Sequence, residues 1–282
     1  IKGQSGLALG NAVGSIICDT GLILGIACLI RPLAIPFEIA NRQGWVQLGA
    51  AVLLVLFCVP WGNPAGPYMD GTPGVFPRWG GFVFLGLLAV YLWLSVKWSK
   101  AAVVSGDSGA AASDESSEHE TEGNESAILT LVKLIFAIVG VVLSANVLIP
   151  AIRIIAERWG VSQSVVAATM VAFGTSLPEL ITAVQAARRG HGDLAVGNII
   201  GADILNALFV AGASAAVTAT GLVADPIFFQ LQFPAMLIVL VVFRIGIATS
   251  KGTLGRGFGY VLLGTYLVYL VLSVIYGTDG GH

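Results

Sequence analysis

Eight long apolar stretches decide what this chain can become. They fall at about 6–30, 45–60, 78–98, 127–150, 163–187, 193–219, 230–249 and 257–276. A bilayer-spanning helix needs about 20 apolar residues. All the stretches but the second reach that length, and the second is short for a full span. Only 11% of the 282 residues are charged and 56% are hydrophobic, against about 25% charged in soluble domains. A soluble enzyme of this size needs more polar surface, so the expectation is an all-α polytopic membrane protein and not an enzyme. The histidines form no HExxH spacing, the cysteines Cys18, Cys28 and Cys58 form no CxxC pair, and there is no basic stripe. No cofactor and no nucleic-acid partner is therefore expected, and the cysteines read as small buried apolar residues.

The connections are equally uneven. Pro60, Pro64, Pro67, Pro73 and Pro77 make 60–77 a turn-rich loop. Residues 107–125 hold seven of the 16 acids and no Lys or Arg, so 101–126 reads as an acidic, solvated linker. Placing that linker in the cytoplasm puts Arg31, Arg42, Lys97, Lys100, Lys133, Arg188, Arg189, Arg244, Lys251 and Arg256 inside. Lys2, Arg78, Arg153 and Arg158 fall outside. Ten against four obeys the positive-inside rule.

Two apolar stretches repeat one another at an offset of 187. GQSGLALGNAVGSIICDTGLILG (3–25) matches GHGDLAVGNIIGADILNALFVAG (190–212) at Gly3/Gly190, Ala8/Ala195, Gly10/Gly197, Asn11/Asn198, Gly14/Gly201, Ile17/Ile204 and Gly25/Gly212. The first copy ends near Arg31 and the second begins near Arg188 and Arg189. All three are inside residues, so the copies run antiparallel. Inverted repeats are a transporter signature, with the substrate site near the bilayer midplane where the halves meet. The GxxxG glycines read first as close helix packing, and Asn11 and Asn198 as helix-to-helix or capping hydrogen bonds. Gly255, Gly257 and Gly259 have no strand before them and so form no nucleotide loop.

Just upstream of the second copy lies GTSLPE, residues 174–179. Pro178 lacks an amide hydrogen and clashes with the carbonyl four residues back, so carbonyls near 172–174 are expected to leave the helix ladder. Thr175 and Ser176 add hydroxyls, and Glu179 adds a carboxylate one turn from Thr175 on the same face. Hard oxygen ligands suit sodium or calcium. An ionisable group inside a span, such as Glu179 or Asp19, is normally functional.

These motifs, GTSLPE (174–179), GNIIGADILN (197–206) and GNAVGSIICD (10–19), make the chain resemble the sodium/calcium exchanger family of the calcium/cation antiporter superfamily. The resemblance implies an inverted-repeat fold of ten helices in two five-helix halves. The eight spans here look like the third to tenth, so the first two transmembrane helices, with their own GTSxPE-type motif, are expected to precede Ile1. That makes 1–100 a partial first repeat of three helices, 101–126 a cytoplasmic linker and 127–282 a second repeat of five helices. The resemblance also implies the ion ligands: the Ala172 carbonyl, side-chain oxygens of Thr175, Ser176 and Glu179, and Asn206 on the next helix. In the first copy it implies Asp19, at the position of Asn206, and Ser15 one turn before it. The repeat partner of Ser15 is Ala202, so one hydroxyl is lost there. Asp203 is either an extra ligand or a helix-contact residue.

The function implied is a sodium-driven calcium antiporter in a prokaryotic inner (plasma) membrane, whose partners are calcium ions, sodium ions and the lipid bilayer. Sodium and calcium would compete for one site, with alternating access coming from sliding of the two mobile helices that precede this sequence. Cation/proton exchange and a potassium-dependent sodium/calcium exchanger remain open. So does a non-transporting membrane fragment, should the chain be complete as given.

Overall fold

A computed structural model describes residues 5–104, 163–250 and 252–279, with a few isolated positions between 147 and 158. The linker beyond Val104 and nearly all of the predicted 127–150 span lie outside the described residues. Among the described residues, five helices are long and apolar enough to cross a bilayer: Gly6–Ile30, Arg78–Trp98, Gly192–Val217, Phe228–Thr249 and Arg256–Tyr276. A bent pair, Ala167–Thr175 with Leu177–Arg189, is a sixth candidate span. Gly6–Ile30 is 78% buried, whereas Arg78–Trp98 is 22% and Arg256–Tyr276 28% buried. The first therefore forms the centre, and the other two present apolar faces outward, as lipid-facing helices do.

In chain order the elements are α1 (Ser5–Ile17), a π-turn (Cys18–Ile23), α2 (Leu24–Ile30), β1 (Leu33–Ala34) and α3 (Phe37–Cys58). Then follow α4 (Gly66–Met69), β2 (Gly74–Phe76) and α5 (Arg78–Val104). The second part runs α6 (Gln163–Val166), a π-turn (Ala167–Val171), α7 (Ala172–Thr175), α8 (Leu177–Arg189), α9 (Gly192–Leu205), a π-turn (Asn206–Ala211) and α10 (Gly212–Val217). It ends with β3 (Leu222–Ala224), a π-turn (Phe228–Gln232), α11 (Phe233–Thr249), β4 (Thr253–Leu254) and α12 (Arg256–Asp279).

The repeat seen in the sequence is a structural two-fold. Each copy widens into a six-residue π-turn at an equivalent place, Cys18–Ile23 and Asn206–Ala211. The strands exchange between halves. β1, after the first copy, pairs antiparallel with β4, which precedes the last helix of the second part. β3, after the second copy, pairs antiparallel with β2, which precedes α5. The repeat-related glycines Gly25 and Gly212 make the same crossing. A Cβ on Gly25 meets the Gly259 carbonyl at 3.2 Å and Leu263 at 2.8 Å, and one on Gly212 meets the Gly81 carbonyl at 3.3 Å and Phe84 at 2.9 Å. Each half thus seats the other half's outer helix on a glycine, the close approach that small residues permit in membranes.

The copies are antiparallel, as expected. The end of the first copy lies beside the start of the second, where a Cβ on Gly192 meets the Ala34 amide nitrogen at 2.5 Å. That end of the molecule gathers the basic residues. Arg31 packs on Gly190, a left-handed residue (φ 90°) that terminates α8. The Arg42 guanidinium lies 4.1 Å from the Trp98 ring, and the Arg244 guanidinium 4.6 Å from Trp45.

One expectation is extended and one needs correcting. The short apolar run at 45–60 lies within a longer helix: α3 starts at Phe37 and is 22 residues long, and it is not among the helices long and apolar enough to cross a bilayer. Its polar first turns are held by other helices, Arg42 by the Trp98 ring and Asn41 by a hydrogen bond from Arg244. Pro178 does not kink a continuing helix. The chain breaks at Ser176 (ψ 6°) and restarts, with Pro178 in the first turn of α8, where its missing N–H costs nothing. The two helices meet at 54°. The Ala172 carbonyl is not released, because it accepts the Ser176 N–H at 3.0 Å and the Thr175 hydroxyl at 3.0 Å.

Candidate functional site

The break at Ser176 turns three oxygen-bearing residues towards the first copy of the repeat. Thr175 is the hub: its hydroxyl lies 3.3 Å from that of Ser15, donates to Asn11 Oδ1 at 3.1 Å and touches the Ala172 carbonyl. Ser176 is buried beside the carboxylate of Asp19. Glu179 sits three residues further along, half-buried, close enough to Asp19 for the two carboxylates to repel. Asp19 is 1% exposed, and neither of its oxygens has a hydrogen-bond partner of ordinary geometry. Glu179 Oε2 is also buried without one.

Asp19 is the second residue of the first π-turn, where the wider winding offsets its side chain from the regular helical ladder. The π-turn Ala167–Val171 on the other side is braced by Tyr269, whose hydroxyl donates to the Ala168 carbonyl at 3.2 Å. Two chain segments about 160 residues apart therefore bring carboxylates and hydroxyls together.

Ser15, Asp19, Thr175, Ser176 and Glu179 come together, with the Ala172 carbonyl at their edge. Asn206 begins its own π-turn and is half-buried, but these hydrogen bonds do not reach it among the described residues. Asp203 is buried and makes helix contacts: its Oδ2 accepts the Thr20 hydroxyl and the Gln47 amide, both at 2.5 Å. Its charge nonetheless adjoins Asp19 and Glu179. Sequence reasoning missed Thr20 and Gln47. The available signal for Gln47 was a lone carboxamide within an apolar run, where polar side chains are expensive.

Among the described residues no three His, Cys, Asp or Glu side chains form a tight metal cluster. The group is two carboxylates framed by hydroxyls, a donor set for a weakly held hard cation, not for a fixed transition metal.

The exchanged strands, the antiparallel repeats and the central broken helix define a multi-pass membrane protein with the inverted-repeat cation antiporter fold. A family profile described as sodium/calcium exchanger protein matches residues 1–97 and 129–275. The chain belongs to that family. It is 30% identical over 269 residues to inner membrane protein YrbG of Escherichia coli, covering 95% of this chain and 77% of the relative. It is 28% identical over 288 residues to sodium/calcium exchanger MaX1 of Methanosarcina acetivorans, covering 96% and 81%. Its fold is similar to that of the sodium-calcium exchanger NCX_Mj soaked with sodium and strontium. The TM-score there is 0.60 at 27% identity, over 95% of this chain and 76% of that one.

Proposed function

We propose that this protein is a sodium-driven calcium antiporter of a prokaryotic inner membrane, working by alternating access at an oxygen-lined site near the bilayer midplane. The observation that carries the reading is the pairing of Asp19 with Glu179. Two carboxylates from opposite parts of an inverted repeat are brought together, with three of their four oxygens buried and only the Ser176 hydroxyl beside Asp19. Leaving such charges unpaired costs several kcal/mol per ion, and a bound cation removes that cost. Calcium and sodium draw on the same oxygens, so the two loads exclude each other and the empty site is disfavoured. Those two conditions turn binding into obligatory exchange. Ser15, Thr175 and Ser176 supply neutral oxygens, and Asn206, at the start of the π-turn Asn206–Ala211, is the remaining side-chain ligand of this reading. The names borne by MaX1 and NCX_Mj support sodium and calcium as the cargo. The basic end formed by Arg31, Arg42 and Arg244 supports a cytoplasmic position for the acidic linker 101–126.

The test is calcium uptake into sodium-loaded proteoliposomes by the full-length protein. Glu179→Gln keeps the shape of the side chain and removes its charge, and is expected to abolish uptake. Uptake at the wild-type rate would overturn the site assignment.

A further inference from the structure

The end of the molecule opposite the basic residues carries an exposed apolar patch that the ion site does not use. The span Arg78–Trp98 has 21 residues, about 31 Å of helix, against a hydrocarbon core of about 30 Å. Trp79 and Trp98 therefore mark the two edges of the bilayer, the levels where Trp and Tyr collect. Trp98 stands at the basic end, against Arg42. Trp79 stands at the other edge, its ring 5.1 Å from that of Phe57 in the last turn of α3. The loop 60–77 leaves from that turn. Met69 is 85% exposed, Trp61 68%, and Tyr68 and Trp79 62% each. Large apolar side chains exposed together mark a surface with a partner.

The loop satisfies its own polar groups. Its five prolines carry no N–H. Pro60 leaves the Leu56 carbonyl without its helical donor, and the Trp61 indole N–H takes that place at 3.1 Å. In α4 the Met69 and Asp70 N–H groups donate to the Ala65 and Gly66 carbonyls. Asp70 is the only charged residue between Val59 and Pro77. Its carboxylate accepts the Asn63 amide at 2.9 Å, the Thr72 N–H at 3.0 Å and the Thr72 hydroxyl. The Asn63–Asp70 bond also draws the Trp61 and Met69 arms of the loop together. Two ties hold the loop to the second part of the chain. The Tyr68 hydroxyl donates to the Phe229 carbonyl at 3.0 Å, and the Gln230 amide to the Pro67 carbonyl at 2.9 Å. Polar groups closed in this way are what a segment beside hydrocarbon requires.

We propose that residues 60–77 form a rigid cap seated in the headgroup layer of the bilayer, with Trp61, Tyr68, Met69 and Trp79 in contact with phospholipid. Continuity selects lipid as the occupant. Trp79 and the exposed Phe82 carry the patch onto α5, whose apolar face is turned outward along the span. The three donors on Asp70 replace the water that a carboxylate loses in the headgroup layer. The cap ties α3, α5 and the π-turn Phe228–Gln232 to one depth in the membrane. It stands independently of which ion the protein carries.

The test is a nitroxide spin label on Met69→Cys of the full-length protein, in vesicles of phosphatidylethanolamine and phosphatidylglycerol. Cys18, Cys28 and Cys58 are buried and stay unlabelled. Oxygen concentrates in lipid, and a nickel chelate stays in water. The label at 69 is expected to collide more often with oxygen than with the chelate, as a label on Phe82→Cys does. More frequent collision with the chelate overturns the cap. Dipolar broadening that disappears on dilution with unlabelled protein places a second copy on the patch, and overturns lipid as its occupant. Asn63→Ala with Thr72→Val strips the donors from Asp70. The pair is expected to shift the label at 69 towards the chelate while leaving a label at 82 unchanged, which also reports that the chain still folds. An unchanged ratio at 69 overturns the role given to those donors.

Discussion

Gly14 and Gly201 occupy the same place in the two copies of the repeat and meet different surroundings. A Cβ on Gly14 comes within 2.2 Å of the Ala168 carbonyl oxygen, because the π-turn Ala167–Val171 lies directly on the first copy. A Cβ on Gly201 meets nothing within 4 Å among the described residues, and the same holds for Gly197. Their neighbours Leu194, Leu205 and Phe209 are exposed. The asparagines follow the glycines: Asn11 accepts a hydrogen bond from Thr175, whereas Asn198 Nδ2 is buried without a partner among the described residues. In the first copy the GNxxG motif lets the broken helix approach and anchors Thr175. In the second copy no described residue covers it. The motif sets the backbone of each copy, and its covering comes from other segments of the chain.

The largest expected effect comes from closing the covered face. Gly14→Ala forces a methyl into backbone atoms and is expected to destabilise by about 3 kcal/mol, the upper end of overpacking costs. Unfolding in mixed micelles measures it, and a loss below about 0.5 kcal/mol, the range of surface changes, would show that this face is not covered. Next come the positions where the copies do agree. Gly25→Ala and Gly212→Ala each push a methyl against the other half's outer helix, and each is expected to cost about 1 kcal/mol. A difference above about 1 kcal/mol in the same assay would refute the two-fold exchange of outer helices, since contacts this alike should cost alike. Smallest is the asparagine pair. Asn11→Ala removes one hydrogen bond, about 1 kcal/mol, and should also weaken calcium binding through Thr175. Asn198→Ala loses no hydrogen bond to a described residue and is expected to cost less, read by the same unfolding curves.

Part of this was legible before any fold was known. Span lengths come from runs of apolar residues, which are local. The antiparallel repeat comes from an offset of 187 read with the positions of Arg31, Arg188 and Arg189. Asp19, Glu179, Thr175 and Ser176 stand out because polar groups are scarce inside spans. Gln47 does not stand out in the same way, since one carboxamide carries no motif. Its meaning depends on Asp203, 156 residues away. The polar turns of α3 before the apolar run show the same dependence: Asn41 and Arg42 are held by Arg244 and Trp98, which lie far away in the chain.

By itself the sequence determined the membrane class, the helical spans, the inverted repeat and the acidic and hydroxyl side chains on offer, because all of these are written in residue type and spacing. Only the tertiary structure decided which of them meet. It placed the helix break at Ser176, occupied the Ala172 carbonyl, gave Asp203 to Gln47 and Thr20, and covered Gly14 with the π-turn Ala167–Val171. Those outcomes depend on contacts between segments far apart in the chain. A local pattern constrains the backbone of each helix and leaves open which neighbour satisfies its polar groups.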